Sequence, residues 1–210
     1  MLKLYGRANS INVRKVLWLL DELGLQYERE DWGRGFKPVS DPEFTAINPF
    51  SVVPAINDDG FVLSESNVIL RYLAAKHGRT DLLPADIRQR ALVERWMDWQ
   101  AADLINALRA AFMGGFLKAP VPGSEDAINA SLREWPKKIV MIERQLETSG
   151  GYIAGPNFTL ADIPVGLSVH RWFAVDLPAL QRPDLPASSA YYERLSERPA
   201  FMAHGRNGLP

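Results

Sequence analysis

The apolar positions change rhythm several times over the first third of the chain and keep a helical rhythm afterwards. Leu2-Lys3-Leu4-Tyr5 alternates apolar and polar side chains and predicts a strand. Val13, Val16, Leu17 and Leu20 follow at helical spacing, and Gly24 predicts where that helix stops. Residues 26–32 read as a second strand. A strand–helix–strand order predicts a parallel βαβ unit with a right-handed crossover. Asp41-Pro42-Glu43-Phe44 starts a helix, with Asp as N-cap and Pro at the first position, and Asn48-Pro49 keeps it short. Residues 52–56 predict a strand carrying Pro54. Asn57-Asp58-Asp59-Gly60 predicts a turn, and Phe61-Val62-Leu63 the returning arm of a hairpin. Ser64 stands as the N-cap of a helix built on Val68, Ile69, Tyr72 and Leu73. The predicted order is β-α-β-α-β-β-α.

The Gly-, Pro- and charge-containing stretch at 79–86 reads as a linker, and beyond it only helices are predicted. The expected organisation is a first domain over 1–78 and an all-helical second domain over 87–210. Ile87, Leu92, Trp96, Trp99, Ile105, Leu108 and Phe112 mark one long amphipathic helix. Ala119-Pro120-Val121-Pro122-Gly123 breaks the chain. Ser124 then caps a segment built on Ile128, Leu132, Trp135, Ile139, Ile142 and Leu146, in which Pro136 predicts a kink or a break. Thr159 and Asp162 form a capping-box pattern before Ile163 and Leu167, so Asp162 is expected to be structural. A last helix is expected over 187–196. Arg14 and Lys15 are expected to face solvent or a subunit contact.

Composition narrows the chemistry. Across 210 residues there are 24 Lys and Arg against 25 Asp and Glu, a formal net charge of −1, which gives no bulk attraction to nucleic acid or an anionic membrane. Residues 1–78 alone carry 9 basic and 10 acidic side chains, so the balance hides no asymmetry between the halves. With no cysteine there is no disulfide framework, no thiolate-held zinc and no cysteine nucleophile. The three histidines, His77, His170 and His204, are too dispersed to suggest a metal site or a compact catalytic triad. Met1-Leu2-Lys3-Leu4-Tyr5-Gly6 lacks the apolar run of a secretion signal, and no apolar run is long enough to span a bilayer. A cytoplasmic protein without metal, nucleic-acid or membrane partners is expected.

Four motifs then fall in register. Ser10-Ile11-Asn12-Val13-Arg14-Lys15-Val16 follows the first strand. Asn48-Pro49-Phe50-Ser51-Val52-Val53-Pro54 precedes the third. Ser64-Glu65-Ser66 opens the third helix, and Phe158-Thr159-Leu160-Ala161-Asp162-Ile163 sits in the helical half. Together with the element order, these resemble the cytosolic glutathione transferases, specifically the serine-type classes (theta, phi and nu-like bacterial). The resemblance spans nearly the whole chain. It implies a thioredoxin-like first domain, an all-helical second domain, a homodimer, and a detoxification-type reaction in which glutathione attacks a small hydrophobic electrophile between the domains.

The resemblance also assigns roles. Ser10, at the start of the first helix, would donate a hydrogen bond to the glutathione sulfur and hold it ionised. Asn12 is the rival for that role and matches a bacterial class that favours disulfide reduction. Tyr5 matches the strand position of the tyrosine-type catalytic residue, but core packing suits it better here. Val53, before a cis Pro54, would pair its backbone with the cysteinyl part of glutathione. Ser66 would take the γ-glutamyl carboxylate and Glu65 the ammonium. The glycyl carboxylate needs a cation from the loop after the second strand, with Lys37 nearest and Arg34 behind it. Arg7-Ala8-Asn9 and the helix around Trp99, Asp103, Ala107 and Phe112 could line the second-substrate site, with Met113-Gly114-Gly115-Phe116 forming a bend near its end. Two alternatives share the fold: a glutathione-dependent disulfide or peroxide reductase, and a non-catalytic binding or scaffold protein.

Overall fold

The computed structural model describes residues 1–121 and 124–208. Pro122 and Gly123, part of the expected chain break, and the side chain of Ser124, the expected cap, lie outside the described residues. Among the described residues there is one four-stranded sheet, ordered β2-β1-β3-β4. Its strands are β1 (Leu2–Tyr5), β2 (Glu28–Glu30), β3 (Ala55–Asp58) and β4 (Phe61–Ser64). β1 and β2 are parallel, joined through α1 (Ile11–Leu23), whereas β1/β3 and β3/β4 are antiparallel. With α2 (Pro42–Ile47) and α3 (Ser66–Lys76), the order β-α-β-α-β-β-α is the one the pattern predicts.

The strand ends differ from the pattern. β2 is three residues rather than seven, a short polar edge strand. β3 begins only after Pro54, because a proline has no N–H to give the ladder. The hairpin turn narrows to Asp59-Gly60, both at positive φ (50° and 97°), which a two-residue hairpin of this hand requires. The cap of α3 is Glu65 rather than Ser64.

The remaining helices are α4 (Ile87–Trp99), α5 (Ile105–Ala110), α6 (Ser124–Ser149), α7 (Asp162–Ala174), α8 (Pro186–Ser196) and α9 (Pro199–His204). Asp86 caps α4, its carboxylate accepting from the N–H groups of Arg88 and Gln89. The single helix expected over 87–112 is wound in sections. α4 passes through a π-helical stretch, Gln100–Leu104, into α5 and then a second, Ala111–Phe116. A π turn shifts the helical phase, which a count at 3.6 residues per turn does not reveal. α6 is not broken at Pro136. Trp135, Ile139 and Ile142 along it are fully buried, and burying three such side chains outweighs the roughly 3 kcal/mol that an interior proline costs.

Both halves share one apolar core. α1 is buried along Val13–Leu20 because α3 packs against it on one side and α7 and α9 on another. Trp18 packs against Phe201 at 4.8 Å and Phe158 at 5.8 Å between ring centroids. Gly166 of α7 permits this closeness: a Cβ there would lie 2.6 Å from Leu195 and 3.2 Å from Trp18.

Arg14 and Lys15 are therefore not at the surface, contrary to the expectation. Each is 1% exposed. Arg14 donates to the carbonyls of His204 and Gly205, which the C-terminal end of α9 leaves without helical partners. Among the described residues no helix is long and apolar enough to cross a membrane.

Candidate active site

The start of α1 is the first wall of the site. Ser10 is the N-cap residue in an extended conformation (φ −84°, ψ 127°), and its carbonyl accepts from Arg14 N–H at 2.9 Å. Its hydroxyl caps none of the first-turn N–H groups. Ser10, Ile11 and Asn12 instead line a cavity of about 350 Å³. Uncapped N–H groups and the positive end of the helix dipole make this wall favourable to an anion.

The start of α3 forms the facing wall. Glu65 holds φ 70°, a left-handed conformation costly for a residue with a Cβ, and its carbonyl begins α3 by accepting from Ile69 N–H at 2.9 Å. Strain of this kind is kept where surrounding structure fixes it. Here it sets Glu65, Ser66 and Asn67 along the same cavity as Ser10. Asn67 is buried and donates to the carbonyl of Met97 at 2.8 Å, which ties the start of α3 to α4.

A smaller cavity of about 130 Å³ is lined by Asn12, Val52, Val53, Pro54, Glu65 and Ser66. It shares Asn12, Glu65 and Ser66 with the larger one. The Val53–Pro54 peptide bond is cis. The loop carrying it is held by Asn48, which is completely buried. Its side-chain amide donates to Val52 O at 2.7 Å, and its carbonyl oxygen accepts from Phe50 N–H at 3.1 Å. The Asn48-Pro49 motif marked this position, but nothing in one sequence showed that its side chain would hold the loop.

Lys37 does not reach either cavity. Its ammonium pairs with Glu30 at 2.6 Å and lies 4.8 Å above the Trp32 ring. Arg34 of the same loop does line the larger cavity. Tyr5 packs with Trp32, Phe44 and Ala55 in a separate small core and also stays out. Along the long helix, Ile105, Leu108, Phe112 and Met113 reach the cavity, while Trp99, Asp103 and Ala107 do not. Asp103 instead pairs with Lys138 at 3.5 Å.

The floor is cationic. Lys15 donates to Gln100 Oε1 at 3.0 Å, and Gln100 Nε2 donates to Ser168 Oγ at 2.9 Å, a buried chain joining α1, the first π-helical stretch and α7. Burial, aided by the charge of Arg171, brings Lys15 down to about 7, while the charge of Glu65 opposes this. Arg171 itself is brought to about 9, first by burial and then by Arg14, and its guanidinium sits 3.9 Å over the Phe112 ring. Neither was singled out from sequence as a site residue. Lys15 lies in a helix that looked amphipathic, and Arg171 is a lone charge in an apolar run.

The lowered Lys15 value predicts a pH effect on stability. The unfolded chain keeps this proton up to about pH 10.5, whereas the folded chain releases it near 7. Between those values the unfolded state binds more protons, so stability rises with pH, with a slope approaching about 1.4 kcal/mol per unit. Lys15→Met should lose that slope. In urea unfolding at pH 7, 8 and 9, the difference between wild type and variant should shift steadily in favour of wild type. Parallel pH dependences would contradict the buried, deprotonating lysine.

Comparison with known proteins joins this geometry to a family. The family model described as "Glutathione S-transferase, N-terminal domain" matches residues 1–75, and "Glutathione S-transferase, C-terminal domain" matches residues 104–199. The chain belongs to the glutathione S-transferase family. The transferase is 38% identical over 202 residues to glutathione S-transferase GstB of Escherichia coli (strain K12), covering 95% of each chain. It is 32% identical over 214 residues to glutathione S-transferase 3 of Zea mays, covering 96% of this chain and 91% of the other. In structure it is similar to the theta class glutathione S-transferase of Xanthomonas axonopodis pv. citri with glutathione bound. That match has a TM-score of 0.88 at 35% identity, covering 100% of this chain and 99% of the other. The expected architecture, a thioredoxin-like domain followed by a helical one, is the fold of this family.

Proposed function

We propose that the transferase binds glutathione across the two adjoining cavities and activates its sulfur as a thiolate for attack on a small electrophile. One observation carries the reading. Two helix N-termini, those of α1 and α3, open onto one cavity, and Ser10 stands at one with a hydroxyl that caps nothing while Ser66 stands at the other. In this reading Ser10 donates to the sulfur, and Val53 pairs its backbone with the cysteinyl unit as an added strand would. Ser66 receives the γ-glutamyl carboxylate at the start of α3, and Glu65 faces the ammonium. Arg34 takes the glycyl carboxylate. Lys37, the residue favoured from sequence, would first have to leave Glu30.

Residues 1–78 would hold glutathione, 79–86 would link, and 87–210 would supply the second wall, where Ile105, Leu108, Phe112 and Met113 offer apolar contact. A free thiol near ~8.5 is only a few per cent ionised at neutral pH. Lowering it by roughly 2 units needs about 2.7 kcal/mol. One charge-assisted hydrogen bond with a helix dipole is of that size. Isothermal titration with glutathione tests the reading: saturable binding at one site per chain is expected, and no heat at millimolar glutathione would contradict it.

Asn12 keeps the reductase reading in view, because it lines both cavities and could address a sulfur from the other side. A scaffold that has lost its site has no such observation behind it. The same reading pairs two chains, with α3 of one against the long helix of the other. Exposed apolar side chains on these elements, Val68 and Leu92, support that contact. Sedimentation at micromolar concentration should give twice the mass of one chain, and a single-chain mass would overturn the dimer.

A further inference from the structure

The larger cavity is lined by Arg7, Lys15, Arg34, Arg109 and Arg171, with Glu65 as its one carboxylate. Among the described residues none of these five cations forms an ion pair with a carboxylate. Several cations elsewhere are paired, among them Arg71 with Asp98 and Glu94, Arg198 with Glu22, and Lys76 with Asp58. The clustering carries a cost. Arg7 is lowered from its usual value first by burial and then by the charge of Arg34, and the Nε atoms of Arg7 and Arg171 are buried with no hydrogen-bond partner. Unpaired cations held together at a cavity mark a place that an anion completes.

Glutathione does not balance this charge. The five cations and one carboxylate leave four positive charges, or nearer three when Lys15 has released its proton. Ionised glutathione carries two carboxylates, a thiolate and an ammonium, which is two net negative charges. At least one cation is left over. Of the five, Arg109 alone lies on the long helix that supplies the apolar second wall, whereas the residues assigned to glutathione all come from the first domain. It lies on α5 and lines the cavity together with Ile105, Leu108, Phe112 and Met113, so the apolar second wall carries one arginine. Among the described residues Arg109 makes no hydrogen bond, and it is exposed.

We infer that the second substrate is an electrophile carrying its own carboxylate, with Arg109 receiving that carboxylate while the apolar wall receives the rest. This rests on the glutathione reading above and names the substrate class of the same site. In the step itself the thiol proton has already passed to solvent. The sulfur forms one bond to the electrophilic carbon, and the bond to the leaving group breaks and takes its electron pair with it. Arg109 touches none of these atoms. It selects and orients the substrate, through a guanidinium fork suited to a carboxylate.

Binding of two thioethers tests this without depending on thiolate activation. S-(4-carboxybenzyl)glutathione and S-benzylglutathione differ only in the added carboxylate. The wild-type protein should bind the carboxylated one at least tenfold tighter at low ionic strength, and the preference should shrink in 0.3 M salt. Arg109→Gln should bring the preference below threefold, and Arg109→Lys should restore part of it. Equal affinities in the wild type, or a preference that survives Arg109→Gln undiminished, would overturn the inference and leave the glutathione reading standing. Failure to bind either thioether would instead overturn the glutathione reading, and the inference with it.

Discussion

Ser10→Ala is expected to cut kcat/KM for glutathione conjugation by between about tenfold and about fifty-fold at pH 6.5. If the hydroxyl and the α1 dipole hold the thiol near ~6.5, half of the bound glutathione is thiolate at that pH. Without the hydroxyl only the dipole remains and the thiol rises toward ~8.5, where about 1% would be ionised, which sets the upper figure. The more basic thiolate is the better nucleophile, which recovers part of the loss and sets the lower figure. The loss should therefore depend on pH: it grows toward pH 6 and disappears by pH 9, where both thiols are mostly ionised, as the acidic limb of the rate profile moves up. Asn12→Ala should cost less and should leave that limb in place. A profile that moves with Asn12→Ala and not with Ser10→Ala would transfer the activating role to Asn12 and favour the reductase reading.

Asp162→Ala is expected to remove about 3–5 kcal/mol of stability and about 10 °C or more from the melting temperature. The Asp162 carboxylate is completely buried at the start of α7. One oxygen accepts from Ile153 N–H at 2.9 Å and Tyr191 OH at 2.9 Å. The other accepts from Thr159 N–H at 2.8 Å and Thr159 OH at 3.2 Å. Burial raises its pKa to about 6 and the four donors pull the other way, so the group is well matched but costly to bury. Alanine would leave two buried backbone N–H groups and a buried phenol without partners, each a penalty of about 1–3 kcal/mol. The relieved desolvation of the carboxylate offsets part of that. Thermal unfolding followed by circular dichroism measures the shift, and a change under about 2 °C would contradict the network. Asp162→Asn should fall between the two, because its NH₂ group must oppose one pair of donors.

What could be read from the chain beforehand follows from how local each signal is. Period-two and period-3.6 patterns placed β1, α1, the hairpin and the long helices, because a strand or helix face repeats within a few residues. The Thr159–Asp162 pattern was visible as a cap for the same reason. It did not reveal that Asp162 also reaches Ile153 and Tyr191, which sit nearby only in the fold. Ser10, Val53-Pro54 and Glu65-Ser66 were found through motifs rather than through periodicity. The structure sets them around two cavities that share Asn12, Glu65 and Ser66.

Arg14 and Lys15 were misread because a pair of basic residues on a helix usually marks a wet face. What decides otherwise is tertiary: the carbonyls at the end of α9 for one and Gln100 for the other. The cationic character of the cavity was out of reach for the same reason. Arg7, Arg34, Arg109 and Arg171 come from two loops and two helices, and no spacing in the chain connects them. Lys37 was chosen as the nearest basic residue in its loop. Glu30, at the end of β2, claims it, and that pairing depends on where a three-residue strand stops.

The most direct measurement is a pH titration of glutathione bound to the wild-type protein and to Ser10→Ala, followed by ultraviolet difference absorbance at the thiolate band. The account predicts a bound thiol roughly 2 units below the free one in the wild type, and in the variant a value shifted clearly back toward the free thiol, short of it by what the α1 dipole contributes. Equal titration midpoints for the two proteins would contradict the assignment of Ser10 as the group that holds the sulfur ionised.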